Sequence, residues 1–367
     1  MPPPGSATPH GKGSPDMSDP HTFRLPAVVT PSCAGLGREL VQSLRTGGIL
    51  HVRVDAVPAQ KIVTAMTASR RFFSMPLAYK ARHVSDLSFS GYLASRDPSA
   101  EGEDDHAETF TVCKDVPYGD ARVRRGWPCH GPVPWPDPEY RLAMRAFMDV
   151  AGGVGERVLR LVALGLGWSA DTLTRLTADG WHTLRVARFP ARPARAAGPV
   201  GAHTDHGLLT VVAQSGPCGM YVRPPVPGEK RPRNWVEGES TAGLFEDEEP
   251  WHPVRHRPDL LSVFPGDLMQ LLTDGRLPAT PHKTAPAEDE RHTLAYSHEP
   301  GFETSLTPIG VDGDPLHYGT HFTAVFMRRH PDRPVTRRIL DEGRLEVLER
   351  LRAGYGPASG IPVRIRA

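Results

Sequence analysis

The sequence predicts a mainly β protein with flanking helices: an antiparallel sandwich or barrel in the second half, preceded by a helical first half. Two observations carry this. From about His182 the chain breaks into short β-type runs, HTLRVARF, GLLTVVAQ, GMYVRP, LLSVF, DLMQLLT and RHTLAYS, separated by Gly, Pro and charged turns. Closely spaced short strands of this kind build sandwiches and barrels. Upstream, apolar residues recur mostly at helical spacing.

Taken in order, residues 1–20 are rich in Pro, Gly and Ser and contain no apolar stretch. They read as a disordered tail rather than a secretory signal. Gly35 to Arg45 (GLGRELVQSLR) has helical spacing and meets the Gly47-Gly48 pair, a helix stop. ILHVRVD, from Ile49, alternates as a strand does. A second helix is expected from Ala59 to Phe73, closed by Pro76, and a longer third from near Pro138 through MRAFMDVAGGVGERVLRLVALGLG. Between the strand-like runs, Pro224 to Pro258 forms a long surface excursion of the kind that often serves function. Helical pattern returns at Thr323 to Arg329 and in TRRILDEGRLEVLERLRAG; there are no internal repeats.

Composition narrows the function class. The chain has 367 residues, 39% apolar and 23% charged, as ordinary globular proteins do. Forty-three Lys and Arg offset 42 Asp and Glu, so no global field draws the chain to nucleic acid or an anionic membrane. A small-molecule partner is expected. No stretch has the apolar length of a membrane span. Cys33, Cys113, Cys129 and Cys218 are scattered without a CxxC pair, which argues against a disulfide framework and places the chain in a reducing cytoplasm.

His203-Thr204-Asp205 stands just before the apolar run GLLTVVA. If a strand begins there, residues two apart project an imidazole and a carboxylate onto one face. His282, in ATPHKTA, follows the strand-like DLMQLLTDG and supplies a third donor. Two histidines and one carboxylate form a facial triad that leaves room on iron(II) for a bidentate co-substrate and dioxygen. HxD alone is weak among 17 histidines. Arg291, nine residues after His282 in the strand-like RHTLAYS, strengthens it, because its fork fits a carboxylate in a way that lysine does not. Thr293, two residues on, faces the same way and adds a hydroxyl. His252 and His256 have a zinc-like HxxxH spacing, but Pro253 and Pro258 oppose a helix there. Trp127, Trp135 and Trp251 are expected in core or loop packing.

The order HxD, distal His, Arg-x-Thr resembles the isopenicillin N synthase-like iron(II)/2-oxoglutarate dioxygenases. The runs SGYLAS, ETFTVCKD, GWPCHGPVPWP, GAHTDHGLL, RPPVPGEKRPRNW, FPGDLMQ, TPHK and HYGTHFTAVFMRRHPDR resemble in particular their ethylene-forming-enzyme-like bacterial members, over about Thr22 to Arg338. The resemblance implies a distorted double-stranded β-helix, a cupin-like jelly roll with helices on its flanks, forming one domain over 21–367. Its parts would be a helical portion to about 180, a jelly-roll core at about 181–330, and C-terminal helices. It implies iron(II), 2-oxoglutarate and O2 as cofactor and co-substrates. His203, Asp205 and His282 match the iron ligands, Arg291 the anchor of the distal 2-oxoglutarate carboxylate, Arg185 an active-site arginine nearby, and Phe189 a pocket wall. A monomer is the working expectation.

Departures from that pattern bear on the substrate. The resemblance puts an acidic partner for an arginine guanidinium where this chain has Pro98, with Asp97, Glu101 and Glu103 nearby in SRDPSAEGEDD. The tyrosine expected after the HxD aspartate is His206, and the Cys-Tyr expected after Arg328 is Arg329-His330. Arg328, His206, Arg329 and His330 are thus candidate substrate contacts, and they disfavour a cationic substrate. Thr284, Thr293 and Ser297 replace Val, Ala and Phe around 2-oxoglutarate. Since the family's ethylene formation goes with an apolar pocket, succinate-forming C–H oxidation is expected to dominate, with ethylene formation and L-arginine hydroxylation the alternative. A 2-oxoglutarate-independent oxidase and a catalytically silent jelly roll stay open as rivals.

Overall fold

The computed structural model describes residues 21–94, 107–191, 201–216, 219–236, 239–240, 248–285 and 288–353. The expected tail, residues 1–20, and the stretch holding Asp97, Pro98, Glu101 and Glu103 lie outside the described residues. A short strand β1 (Thr22–Phe23) leads to helix α1 (Ala34–Gly47). The helix stops at Gly48, which is left-handed at φ 69° and donates its N–H to Leu44 O. Strand β2 (Leu50–Arg53) follows, then α2 (Ala56–Phe73) and the short α3 (Leu77–Lys80). Two strands not anticipated in this half come next, β3 (Gly91–Leu93) and β4 (Glu108–Val112). After α4 (Ala121–Arg124), the long α5 (Pro138–Gly165) opens with Pro at N1/N2 and an Asp137 side chain that accepts from Tyr140 N. It buries Tyr140, Ala143, Met144, Phe147, Ala151, Val154, Val158 and Leu161, a stripe at helical spacing.

The second half supplies β5 (Thr183–Phe189), β6 (Leu209–Ser215), β7 (Met220–Val222), β8 (His252–Pro253) and β9 (Leu260–Pro265). DLMQLLT, expected as a strand, is instead helix α6 (Asp267–Leu272), buried at every position. A short run with four apolar residues in seven fits a buried helix as well as a buried strand, and periodicity does not separate them at this length. Strands β10 (His282–Thr284), β11 (Arg291–His298), β12 (Ser305–Leu306) and β13 (Leu316–His317) precede α7 (Tyr318–Arg329). The last helical pattern is two helices, α8 (Pro334–Asp341) and α9 (Leu345–Ala353), parted at Gly343, which has φ 63°.

Eight strands form one sheet in the order β1-β2-β9-β6-β11-β5-β4-β3, antiparallel except for β1 on β2. Three more form a smaller sheet, β10-β7-β8. The sheets pack face to face through a core of Val212 and Phe264 from the large one with Met220 and Val222 from the small one. Helices α2 and α5 cover the opposite face of the large sheet at β5 and β11. Register explains the burial pattern of β11: His292, Leu294, Tyr296 and His298 are buried, whereas Thr293, Ala295 and Ser297 on the other face are half-buried. That second face lines a cavity between the sheets. Among the described residues no helix is long and apolar enough to cross a membrane.

Candidate metal centre and its cavity

The HxD sequence does not start a strand as expected; it occupies the turn before β6. What aligns it is an isolated antiparallel bridge between His203 and His282, in which each backbone N–H donates to the other carbonyl, at 3.1 and 2.9 Å. Two histidines far apart in the chain thereby stand side by side, with ring centroids 4.5 Å apart. Asp205, two residues past the bridge, brings Oδ1 to 3.8 Å from His282 Nε2. One potential ligand atom from each of His203, Asp205 and His282 falls within 4.8 Å of the others, and this trio is the only such cluster among the described residues.

The surroundings orient both rings and hold the carboxyl. His203 Nδ1 lies 3.1 Å from Gly201 O, and His282 Nδ1 lies 3.2 Å from Thr280 O. A carbonyl only accepts, so Nδ1 carries the proton and the lone pair falls on Nε2. Burial pushes the Asp205 carboxyl up, but the His282 and His203 imidazoles and a hydrogen bond from Thr210 Oγ1 outweigh it and hold it down at about 2. A carboxylate and two imidazoles, with no sulfur donor among them, fit iron(II) of the facial-triad type.

The trio opens on a cavity of about 740 Å³ between the sheets. All eleven sequence-predicted site residues line it: the trio, Arg291, Arg185, Thr293 and Phe189, together with Arg328, His206, Arg329 and His330. Arg291 is buried, donates from Nη2 to Ala285 O at 2.6 Å, and lies over the Phe189 ring at 5.2 Å. A Cβ on Gly219 would fall 1.3 Å from Arg291 Nη1, so the guanidinium rests in a place that only glycine leaves open. His206 is buried, and burial, with Arg329 and His321 nearby, drives its imidazole well below the usual range, which keeps it neutral. Arg328 and Arg329 are exposed at the end of α7.

Some cavity residues were not anticipated. Thr210, Val212 and Gln214 on β6 face inward with Ser297, Ala295 and Thr293, their partners on β11. The signal was present in LTVVAQ, where two polar residues share one parity. Asn234 and Val236, in the excursion expected to lie on the surface, also line the cavity. Trp127 and Trp135 pack on the core, and Trp251 lies against Lys283 Nζ, 4.1 Å from its ring; none lines the cavity.

Comparison with known proteins adds a second line of argument. Residues 181–300 match the family model of the 2OG-Fe(II) oxygenase superfamily, and residues 25–138 match that of the non-haem dioxygenase in morphine synthesis N-terminal family. Over 341 residues the chain is 48% identical to a 2-oxoglutarate-dependent ethylene/succinate-forming enzyme of Ralstonia nicotianae, spanning 91% of this chain and 99% of that one. Among solved structures, a 2OG-Fe(II) oxygenase family protein from Caulobacter crescentus superposes with a TM-score of 0.66 at 17% identity, covering 84% of this chain and 98% of that one. The dioxygenase for auxin oxidation in rice gives 0.60 at 20% identity, covering 86% and 98%. At these identities the structural matches speak for the fold, the double-stranded β-helix expected from the sequence.

Proposed function

From the premise that this chain belongs to the 2OG-Fe(II) oxygenase superfamily, we propose that His203, Asp205 and His282 hold its iron(II) and that Arg291 anchors the distal carboxylate of 2-oxoglutarate. We infer further that the α7 side of the cavity takes a small-molecule substrate. The overall change is conversion of 2-oxoglutarate, O2 and a C–H bond into succinate, CO2 and a C–OH group, one oxygen atom going to each organic product. The observation that carries this reading is the meeting of two imidazoles and a carboxylate within 4.8 Å at the wall of a cavity that also holds a buried arginine.

Iron(II) bound there supplies the redox chemistry with O2; the chain supplies geometry and shielding. The guanidinium of Arg291, fixed by Ala285 O and the Phe189 ring, offers a preorganised fork for a carboxylate. Thr293 adds a hydroxyl on the same face. Arg185 opposes Ala295 in the β5–β11 register and borders the same space. His206, Arg328, Arg329 and His330 border the substrate side, and a neutral His206 imidazole can both donate and accept.

A second reading is ethylene formation together with L-arginine hydroxylation; its ethylene half is favoured by the relative of 48% identity, whose name carries both ethylene and succinate. Against it stand Thr284, Thr293 and Ser297, polar groups on the cavity wall. Anaerobically iron-loaded protein given 2-oxoglutarate and air separates these readings. Succinate, stimulated by one of a panel of amino acids and related metabolites, is the expected product; ethylene as the major product in the headspace selects the second reading, and no succinate with iron bound defeats both.

A further inference from the structure

Helix α6 touches three segments that converge on the cavity. Its first residue, Asp267, is fully buried, and its backbone N–H donates to Asp205 O at 2.8 Å. The neighbouring amides complete the brace: Leu268 N–H donates to Gly207 O at 2.9 Å and Gly266 N–H to Leu208 O at 3.2 Å. The two carboxyl oxygens of Asp267 then serve different segments. Oδ1 accepts from Thr204 Oγ1 at 2.7 Å, between the two ligands of the turn, and Oδ2 accepts from Asn234 Nδ2 at 3.0 Å. One turn along, Gln270 donates to Pro232 O at 3.1 Å and accepts from Ala279 N at 2.9 Å, three residues before His282.

We propose that Asp267 is a positioning residue that locks the turn carrying His203 and Asp205 to the cavity wall carrying Asn234, so that iron(II) binding and the ordering of residues 224–236 are energetically coupled. The inference rests on the iron-site reading above. Its physical basis is that one planar carboxylate, sealed from water, receives donors from two separate stretches of chain. Moving either stretch by about 1 Å takes its bond out of range and leaves a buried polar group unsatisfied. Asn234 gives its amide nitrogen to Oδ2 of Asp267, and Thr204 gives its hydroxyl to Oδ1, so each carboxyl oxygen is committed to a different stretch. Coupling of this kind is reciprocal: whatever fixes the ligand turn also fixes the wall, and loosening the wall loosens the ligands.

The test uses chelator-stripped full-length protein under nitrogen, as wild type, Asn234→Ala and the isosteric Asp267→Asn. Iron(II) affinity is measured by competition with a chromogenic chelator, and the wall is probed by trypsin cleavage after Lys230 and Arg233, both exposed. In the wild type, iron(II) should slow cleavage at these sites. Asp267→Asn should weaken iron(II) binding about 10- to 100-fold, the usual effect of removing a partner just behind the ligands. Asn234→Ala, a loop substitution that leaves the ligands and Thr204 untouched, should weaken it at least about 5-fold and abolish iron-dependent protection. A merely structural role would lower Tm without removing that protection. Wild-type iron affinity and wild-type protection in Asn234→Ala overturn the coupling alone, while a wild type that takes up no iron(II) overturns the metal reading beneath it.

Discussion

Thr210 donates its hydroxyl to Oδ2 of Asp205, while the other oxygen, Oδ1, lies 3.8 Å from His282 Nε2. On the proposed assignment, the contact would leave the aspartate one free oxygen for iron(II) and fix its carboxylate plane. Thr210→Val keeps the shape and strands Oδ2. Iron(II) affinity should fall about 10-fold or more, with the fold preserved by circular dichroism; an unaltered dissociation constant would show that Thr210 does not orient the ligand. His203→Ala and Asp205→Ala delete donors outright and should abolish turnover.

Arg291 should act on 2-oxoglutarate and not on iron. Removing a charge-assisted, paired contact in a desolvated site costs on the order of 2 to 4 kcal/mol. Arg291→Ala should therefore raise the KM for 2-oxoglutarate by roughly 30- to 1000-fold. Arg291→Lys should recover little, since an ammonium does not reproduce the fork. Steady-state succinate formation at varied 2-oxoglutarate is the measurement, and an unchanged KM in Arg291→Ala removes the assigned role.

Gly219→Ala tests the same anchor without touching it. The added Cβ would collide with Nη1 of Arg291, and the guanidinium must move off its perch on Ala285 O and Phe189. A displacement of about 1 Å at a positioning group can cost on the order of 100-fold. The loss should appear in KM for 2-oxoglutarate with iron(II) affinity intact. Equal losses in both would mean that the substitution disturbs β7 and, through it, His282 on β10.

Elements whose periodicity and punctuation agree were legible: α1 ends at its glycine, α5 begins at its aspartate and proline, and β11 alternates as a half-buried strand does. DLMQLLT was not, because seven residues, four of them apolar, are too few for periodicity to separate a buried helix from a buried strand. Strand β4 is only five residues long and sits beside an acidic stretch that reads as loop. The meeting of His203, Asp205, His282 and Arg291 at one cavity was legible because such chemistry is scarce: an HxD, a later histidine and an arginine at fixed spacing leave few readings. Asp267 and Asn234 were not, since an aspartate after a glycine looks like any turn residue until tertiary structure buries it against Thr204. Gly219 was hidden for a similar reason; its importance comes from a side chain that arrives from a different strand.

Buried titratable groups give the metal-free protein a stability maximum in pH. Burial pushes the imidazoles of His130, His317 and His321 down to about 4, whereas in the unfolded chain they protonate near 6.5. Between those values the unfolded state binds more protons, so stability falls as pH drops from about 6.5 towards 4. Glu299 works in the opposite sense. Burial lifts its carboxyl to about 8 against the Leu208 N–H that it accepts, and burial lifts Asp267 to about 7. In the unfolded state both ionise near 4, so the folded state holds the extra protons and their contribution is lost as pH rises through 7 and 8. With His182, which burial pushes down to about 3, and His206, also held well below the usual range, these histidines outweigh the two carboxyls below about pH 6.5, and the carboxyls act between there and about pH 8. Thermal unfolding of chelator-treated protein should therefore give its highest Tm near pH 6.5, falling on both sides. Glu299→Gln retains an acceptor for Leu208 N–H but has no proton to lose, so it should flatten the alkaline limb. A Tm that rises steadily to about pH 9, or an alkaline limb that Glu299→Gln leaves unchanged, would rule out Glu299 as the group that titrates there.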